Sequence, residues 1–355
     1  MTECSIQFSY SEDDFVFETS PDKNSLFDQF LKSNWETKMQ NGCFRYQLGD
    51  LQTKDLQGKY DFIVQLNIKR AIERRTPQLV SDIIMPFDTD KFHFGKVNAK
   101  EVLFMIQPQH WFELKPESNK THSLQEFYKH SLIINVSPLE FGHSLLIPCI
   151  DKFCPQVLNF NALRLAVETI LISSDNYFRL GFNSLGAYAS VNHLHFHAYY
   201  LKYRLYLESA PVVQLEDRCH ILTSFPSEGF AFEVFKKEDI LEMIRSVMIL
   251  IEFLVEKRIP HNIFLTRGSR FSPSEKGNSG ISSVRLYVWA REAYYGTKND
   301  LSFNVAVCEL AGHIPIKDER SFESIDEANI AAQLKEACHN TFVSIKDKVK
   351  NLYRY

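Results

Sequence analysis

Ser190-Val-Asn-His-Leu-His-Phe-His-Ala-Tyr-Tyr-Leu201 is the stretch on which the reading of this chain turns. Histidines occupy 193, 195 and 197, and Leu194, Phe196 and Ala198 fill the gaps. That two-residue alternation is the period of a β-strand with one apolar face and one working face, so the spacing predicts a strand carrying three imidazoles on one side. A helix would scatter them, because residues two apart on a helix do not face the same way. Two kinds of chemistry suit such a row. Neutral imidazole is a common zinc ligand, but at about 3.3 Å per residue His193 and His197 are roughly 13 Å apart at Cα, so at most two would share an ion. Alternatively, one imidazole attacks phosphorus while its neighbours fix its tautomer and hold phosphate oxygens. A histidine-rich strand half exposed to water is the bland third possibility.

A second segment narrows the choice. Pro138-Leu-Glu-Phe-Gly-His-Ser-Leu-Leu-Ile-Pro148 follows the pattern Pro-x-x-x-Gly-His-x-Leu-x-x-Pro, and with His-x-His-x-His it resembles the paired signature of the histidine triad superfamily. Longer blocks are Phe62-Ile-Val-Gln-Leu-Asn67, Arg74-Arg-Thr-Pro77, Ile134-Asn-Val-Ser-Pro138, Asn192-His-Leu-His-Phe196 with Ala198-Tyr-Tyr-Leu201, and Glu309-Leu-Ala-Gly-His313. Together they resemble the GDP-D-glucose phosphorylase family, animal relatives of the plant GDP-L-galactose phosphorylases, over nearly the whole chain.

The resemblance implies an α+β fold of the galactose-1-phosphate uridylyltransferase type: antiparallel sheet with flanking helices, in two triad-like halves side by side. The expected division is 1–209 for the half with the catalytic motif and 210–355 for a degenerate half without the triple histidine. It implies a nucleotidyltransferase that takes a GDP-hexose and inorganic phosphate through a guanylylated His195. His193, Ser190 and His143 would hold nonbridging phosphate oxygens, and Asn183 would contact ribose or phosphate. Arg74, Arg75 and Lys96 are candidate diphosphate ligands, with a solvated basic face as the alternative. The third histidine position departs from the pattern. Uridylyltransferases and plant phosphorylases carry glutamine there, which cannot act as an acid, whereas His197 matches the triad hydrolases. Hydrolysis of dinucleoside polyphosphates or cap-like nucleotides is therefore the alternative activity. No metal or cofactor is expected.

Composition sets the outer bounds. The 355 residues are 45% hydrophobic and 24% charged, ordinary for a soluble protein with a substantial core. A formal charge of -4 argues against wholesale nucleic-acid binding. Seven cysteines without paired Cys-x-x-Cys spacing suggest reduced thiols and a cytoplasmic protein. Cys149 and Cys154 lie near His143 but lack clustered zinc-ligand spacing. No basic head with an apolar run opens the chain, and no run of about 20 apolar residues is present, so neither a secretory signal nor a membrane span is expected.

Along the chain, Phe27, Phe30, Leu31 and Trp35 predict a helix ending at Gly42. Strands are expected at 61–66, 102–106 and 131–136, and 131–148 reads as a hairpin. A helix through Leu163 to Leu171 and a strand at 177–182 lead to the small-residue turn Asn183-Ser-Leu-Gly-Ala-Tyr-Ala-Ser190. Such a turn lets backbone N–H groups approach an anion. In the second half, strands are expected at 229–235, 262–266, 284–290 and 303–310, and a helix over 238–257. Residues 270–283 read as a mobile loop, and Ser324-Ile-Asp-Glu327 as a capping box for a final helix.

Overall fold

The computed structural model describes residues 6–19, 24–73, 75, 78–113, 129–272, 282–295 and 302–354. Its strands are β1 (Gln7–Tyr10), β2 (Thr53–Leu56), β3 (Phe62–Leu66), β4 (Val102–Pro108), β5 (His130–Ile134), β6 (Ser144–Ile147), β7 (Phe178–Asn183), β8 (Phe196–Tyr200), β9 (Val213–Glu216), β10 (Cys219–Leu222), β11 (Gly229–Val234), β12 (His261–Gly268), β13 (Ser283–Ala290) and β14 (His313–Ile316). The helices are α1 (Leu26–Gln40), α2 (Ile68–Ile72), α3 (Phe160–Leu171), α4 (Ile240–Glu256), α5 (Val307–Leu310), α6 (Glu319–Ser324) and α7 (Glu327–Leu352). Eleven strands form one sheet in the order β1-β4-β5-β6-β8-β7-β12-β13-β11-β10-β9, antiparallel except for β1 against β4. The two halves of the chain meet where β7 pairs with β12, so the sheet runs on from one half into the other.

Each face of this sheet has its own cover. On one face α1, α3, α4 and the end of α7 bury the main core, which takes in Leu194, Phe196 and Ala198. Asn159 caps α3 by accepting the Ala162 N–H, and Arg164 pairs with Glu168 one turn on, which lets a helix buried along most of its length carry two charges. The other face carries a small sheet, β14-β3-β2, with α5, α6 and the first turns of α7. Here the second half returns to the first, because β14 runs parallel to β3.

Register explains the alternation around the histidines. Ile133, Leu145, His197, Gly181, Phe264 and Tyr287 are successive partners across β5, β6, β8, β7, β12 and β13, so they share the face opposite the main core. Gly181 has a steric reason to be glycine: a Cβ there would lie 2.8 Å from Val307 Cγ1. Without it α5 could not press onto the sheet beside His197.

Several expectations need correction. The strand predicted over 190–201 is confined to Phe196–Tyr200. Before it, the N–H groups of Leu194 and His195 bond to the Cys154 carbonyl and the Gln156 side chain, so the crossing segment 154–156 takes donors that a sheet neighbour would otherwise use. The expected strand over 303–310 is irregular chain followed by α5, because Glu309 accepts the Ala306 N–H and Asn183 accepts the Val307 N–H, which nucleates a turn. Asp326, not Ser324, caps α7, and the Glu327 carboxylate instead receives the N–H groups of Lys59 and Tyr60. Most of the loop expected at 270–283 lies outside the described residues.

Candidate active site

A cleft of about 420 Å3 opens on the face shared by His197 and Gly181, between the large sheet and α2, α5 and β14. His143, Asn183, Ser190, His195, His197 and Arg75 all line it.

His195 is held with little freedom. Its Nδ1 lies 2.7 Å from the His193 carbonyl and 2.9 Å from Gln156 Oε1, two acceptors, so Nδ1 carries the proton and Nε2 keeps its lone pair. Burial lowers its pKa to about 4, so the ring is neutral at physiological pH. Gln156 is itself fixed: its Nε2 donates to the carbonyls of Asn183 and His195, and its backbone N–H to Asn192 Oδ1.

The next two imidazoles form a relay. His143 Nδ1 accepts the Leu139 N–H at 2.7 Å, and burial holds the His143 pKa well below its usual value, so its single proton sits on Nε2. That nitrogen lies 3.1 Å from His197 Nδ1. His197 Nδ1 therefore accepts, and a neutral His197 carries its own proton on Nε2. Its chemistry toward a ligand is that of an N–H donor, as a glutamine amide would be.

His193 departs from expectation. It is fully buried and does not line the cleft. Its ring stacks on Phe94, 5.4 Å between centroids, and its Nδ1 accepts the Phe94 N–H. Its contribution to the site is its carbonyl. Lys96 also stays out of the cleft lining, its Nζ donating to the carbonyls of Asp90 and Lys91. Arg75 lines the cleft but pairs with Glu101 at 2.9 Å, and Arg74 lies outside the described residues. Asn183 Oδ1 receives Asn262 Nδ2 and the Val307 N–H, so the side chain ties β7 to β12 and α5. Gly186 and Tyr188 adopt positive φ in the turn that brings Ser190 to the wall.

Sequence reasoning did not single out other lining residues: Arg45, Arg70, Asn135, Gln78, Glu309 and Lys317. Arg70 sits in the basic run around Arg74 and Arg75, and Asn135 and Glu309 lie in blocks that carry the family resemblance. Gln156 has no local signature, because its role comes from a chain crossing. Glu309 is buried beside Cys308 and its pKa is raised by burial. Arg70 donates to the Ser137 carbonyl and is close enough to His143 and Glu309 to act on both electrostatically.

On an almost wholly antiparallel sheet, a buried neutral histidine stands beside a relay of two more. Comparisons with known proteins identify the family. The solved yeast Ap4A phosphorylase in complex with AMP shares the fold at a TM-score of 0.58, covering 88% of this chain and 96% of its own, at 13% identity. Family models described as GDPGP1-like, N-terminal domain and GDPGP1-like, C-terminal domain match residues 26–199 and 207–354. The chain is 43% identical over 337 residues to GDP-D-glucose phosphorylase 1 of Danio rerio, 93% of each chain being covered. It is 40% identical to GDP-D-glucose phosphorylase 1 of Homo sapiens, over 88% of this chain and 79% of the relative. GDP-L-galactose phosphorylase 1 of Arabidopsis thaliana is 31% identical over 88% of this chain and 70% of the relative. The chain belongs to the GDP-D-glucose phosphorylase family.

Proposed function

We propose that the protein phosphorolyses GDP-D-glucose to GDP and glucose 1-phosphate through a histidine-bound GMP. The observation that carries this is the fixed tautomer of His195, whose Nδ1 is committed to the His193 carbonyl and Gln156. Its Nε2 lone pair needs no deprotonation before it attacks the α-phosphorus. The new P–N bond forms as the bond from α-phosphorus to the bridging oxygen breaks, and glucose 1-phosphate leaves. An oxygen of inorganic phosphate then attacks the same phosphorus, the P–N bond breaks, and GDP departs. Both steps are in-line displacements in which positioning and charge stabilisation do most of the catalysis.

Ser190 and the N–H of His197 are assigned to the nonbridging oxygens, and Arg45, Arg70 and Lys317 to the phosphate that leaves or enters. His143 acts through His197, and His193 through its carbonyl. Asn183 and Arg75 shape the walls, and Lys96 has no assigned role. The division into a catalytic half, 1–209, and a supporting half, 210–355, is part of the same proposal. The supporting half places α5 and Lys317 at the cleft.

Hydrolysis was the competing activity because His197 stands where glutamine is usual. The relay through His143 supports phosphorolysis instead. With its Nδ1 accepting from His143, His197 turns an N–H rather than a lone pair toward oxygen. A cytoplasmic setting accords with the free thiols of Cys43, Cys149, Cys154, Cys219, Cys308 and Cys338. No helix of the described residues is long and apolar enough to cross a membrane.

Intact-mass measurement tests the proposal. Mixed with GDP-glucose and no phosphate, the protein should gain the mass of one guanylyl group, GMP less water, and added phosphate should discharge it as GDP. Release of GMP at the same rate without phosphate would favour the hydrolase.

A further inference from the structure

At one end of the cleft the His195 ring meets a slot with apolar walls. Phe94 packs edge-on against His195 at 4.9 Å between centroids, and Phe92 packs on Phe94 at 5.9 Å. Ile133, Leu145 and Val191 complete this patch on the same face of the sheet. Apolar walls beside the nucleophile suit a purine, and on the reading above that purine is guanine.

A charged pair stands at this slot. The Arg75 guanidinium lies over the Phe92 ring, 4.0 Å to its centroid, and donates to Glu101 Oε2 at 2.9 Å. The Glu101 side chain keeps only 16% of its surface exposed and lines the cleft. Its other oxygen, Oε1, accepts the Asn98 N–H at 3.3 Å, so each carboxylate oxygen spends one acceptor position inside the protein and keeps one. Two adjacent acceptors in a half-dry groove match two adjacent donors on a ligand.

We infer that Glu101 is the guanine-selecting residue, accepting N1–H and the N2 amino group, with Arg75 positioned to donate to O6. Among the common bases, guanine is the purine that offers two neighbouring donors beside a carbonyl oxygen. Adenine turns the bare N1 toward the carboxylate and leaves Arg75 facing an amino group, so it is rejected twice. Inosine keeps N1–H and O6 but lacks the N2 donor, so it isolates one hydrogen bond. Arg75 thus serves the base and not the diphosphate for which the sequence nominated it. Val102, next to Glu101, is in register with Ile133, Leu145 and His197 across β4, β5, β6 and β8, which puts the pair three strand spacings, roughly 14 Å at Cα, from the histidines.

Glu101 also closes the 3-10 turn Ala99–Glu101 whose cap is Asn98, so the test separates capping from reading. GMP and IMP are titrated by calorimetry into a His195→Asn protein, and GDP-glucose and IDP-glucose are compared as substrates of the protein with His195 intact. Guanine should be preferred by on the order of tenfold to a hundredfold in both assays, the effect of one hydrogen bond to a charged acceptor. Glu101→Gln should bring that ratio close to one, while Asn98→Ala, which weakens the same turn, should leave it in place. An unchanged ratio in Glu101→Gln, or an equal loss in both variants, overturns the inference. Selective GMP binding by a protein that never turns over GDP-glucose would sink the proposed function and leave this assignment standing.

Discussion

Gln156 Oε1 accepts both the backbone N–H of His195 and the N–H of its ring, each at 2.9 Å. One amide oxygen therefore sets where the residue sits and which ring nitrogen is left basic. Gln156→Ala should lower the rate of histidine guanylylation by on the order of a hundredfold, the cost of a nucleophile no longer held in line. Rapid-quench measurement of the adduct checks this. Gln156→Glu should raise the His195 pKa from about 4 toward its ordinary 6.5, because a carboxylate favours imidazolium. The acid limb of the pH–rate profile should move up with it, and an unmoved limb would refute the contact.

His197→Gln should keep phosphorolysis within about tenfold, since the amide supplies the same kind of donor that the relay fixes on His197. His197→Ala should lose on the order of a hundredfold, like removal of a donor from an oxyanion site. Steady-state assays of GDP release compare the two. Equal losses in both variants would show that the imidazole acts as an acid or base.

Among the described residues, six of the buried histidines have strongly lowered pKa values: about 4 for His130, His195 and His261, about 3 for His193 and His313, and well below normal for His143. Burial is the first cause for each. Unfolding releases these rings to an ordinary pKa, so between about pH 6.5 and 4 the unfolded chain binds more protons than the native one. Native stability should hold above about pH 6.5 and fall steeply below it, at up to about 1.4 kcal/mol per pH unit for each such ring. Urea unfolding at pH 7.5, 6 and 5 reads this as a falling midpoint. A midpoint unchanged down to pH 5 would contradict it.

Gly181→Ala should destabilise the protein by about 1–3 kcal/mol, because the new methyl would lie 2.8 Å from Val307 Cγ1. Val307→Ala in the same chain should recover part of that loss. A double-mutant cycle by urea unfolding measures the coupling, and additive effects would show that α5 does not rest on β7.

The placement of secondary structure was largely legible because the signals are local. Apolar periodicity gave α1, α3 and α4, and apolar runs bounded by turn residues gave β5, β6, β7, β12 and β13. The misses have tertiary causes. At 303–310 the apolar residues read as a strand, but the Asn183 and Glu309 side chains fold the backbone into α5. At 190–195 the expected ladder does not form, since a crossing segment supplies the hydrogen bonds.

Strand periodicity alone puts His195 and His197 on one face, since a period of two along one segment requires no knowledge of neighbours. Which imidazole keeps its lone pair, and which presents an N–H, depends on contacts that no local pattern shows. A tautomer is set by what the other ring nitrogen meets. Here those partners are the carbonyl of His193, the amide of Gln156, and the Leu139 N–H acting through His143, and two of the three come from distant parts of the chain.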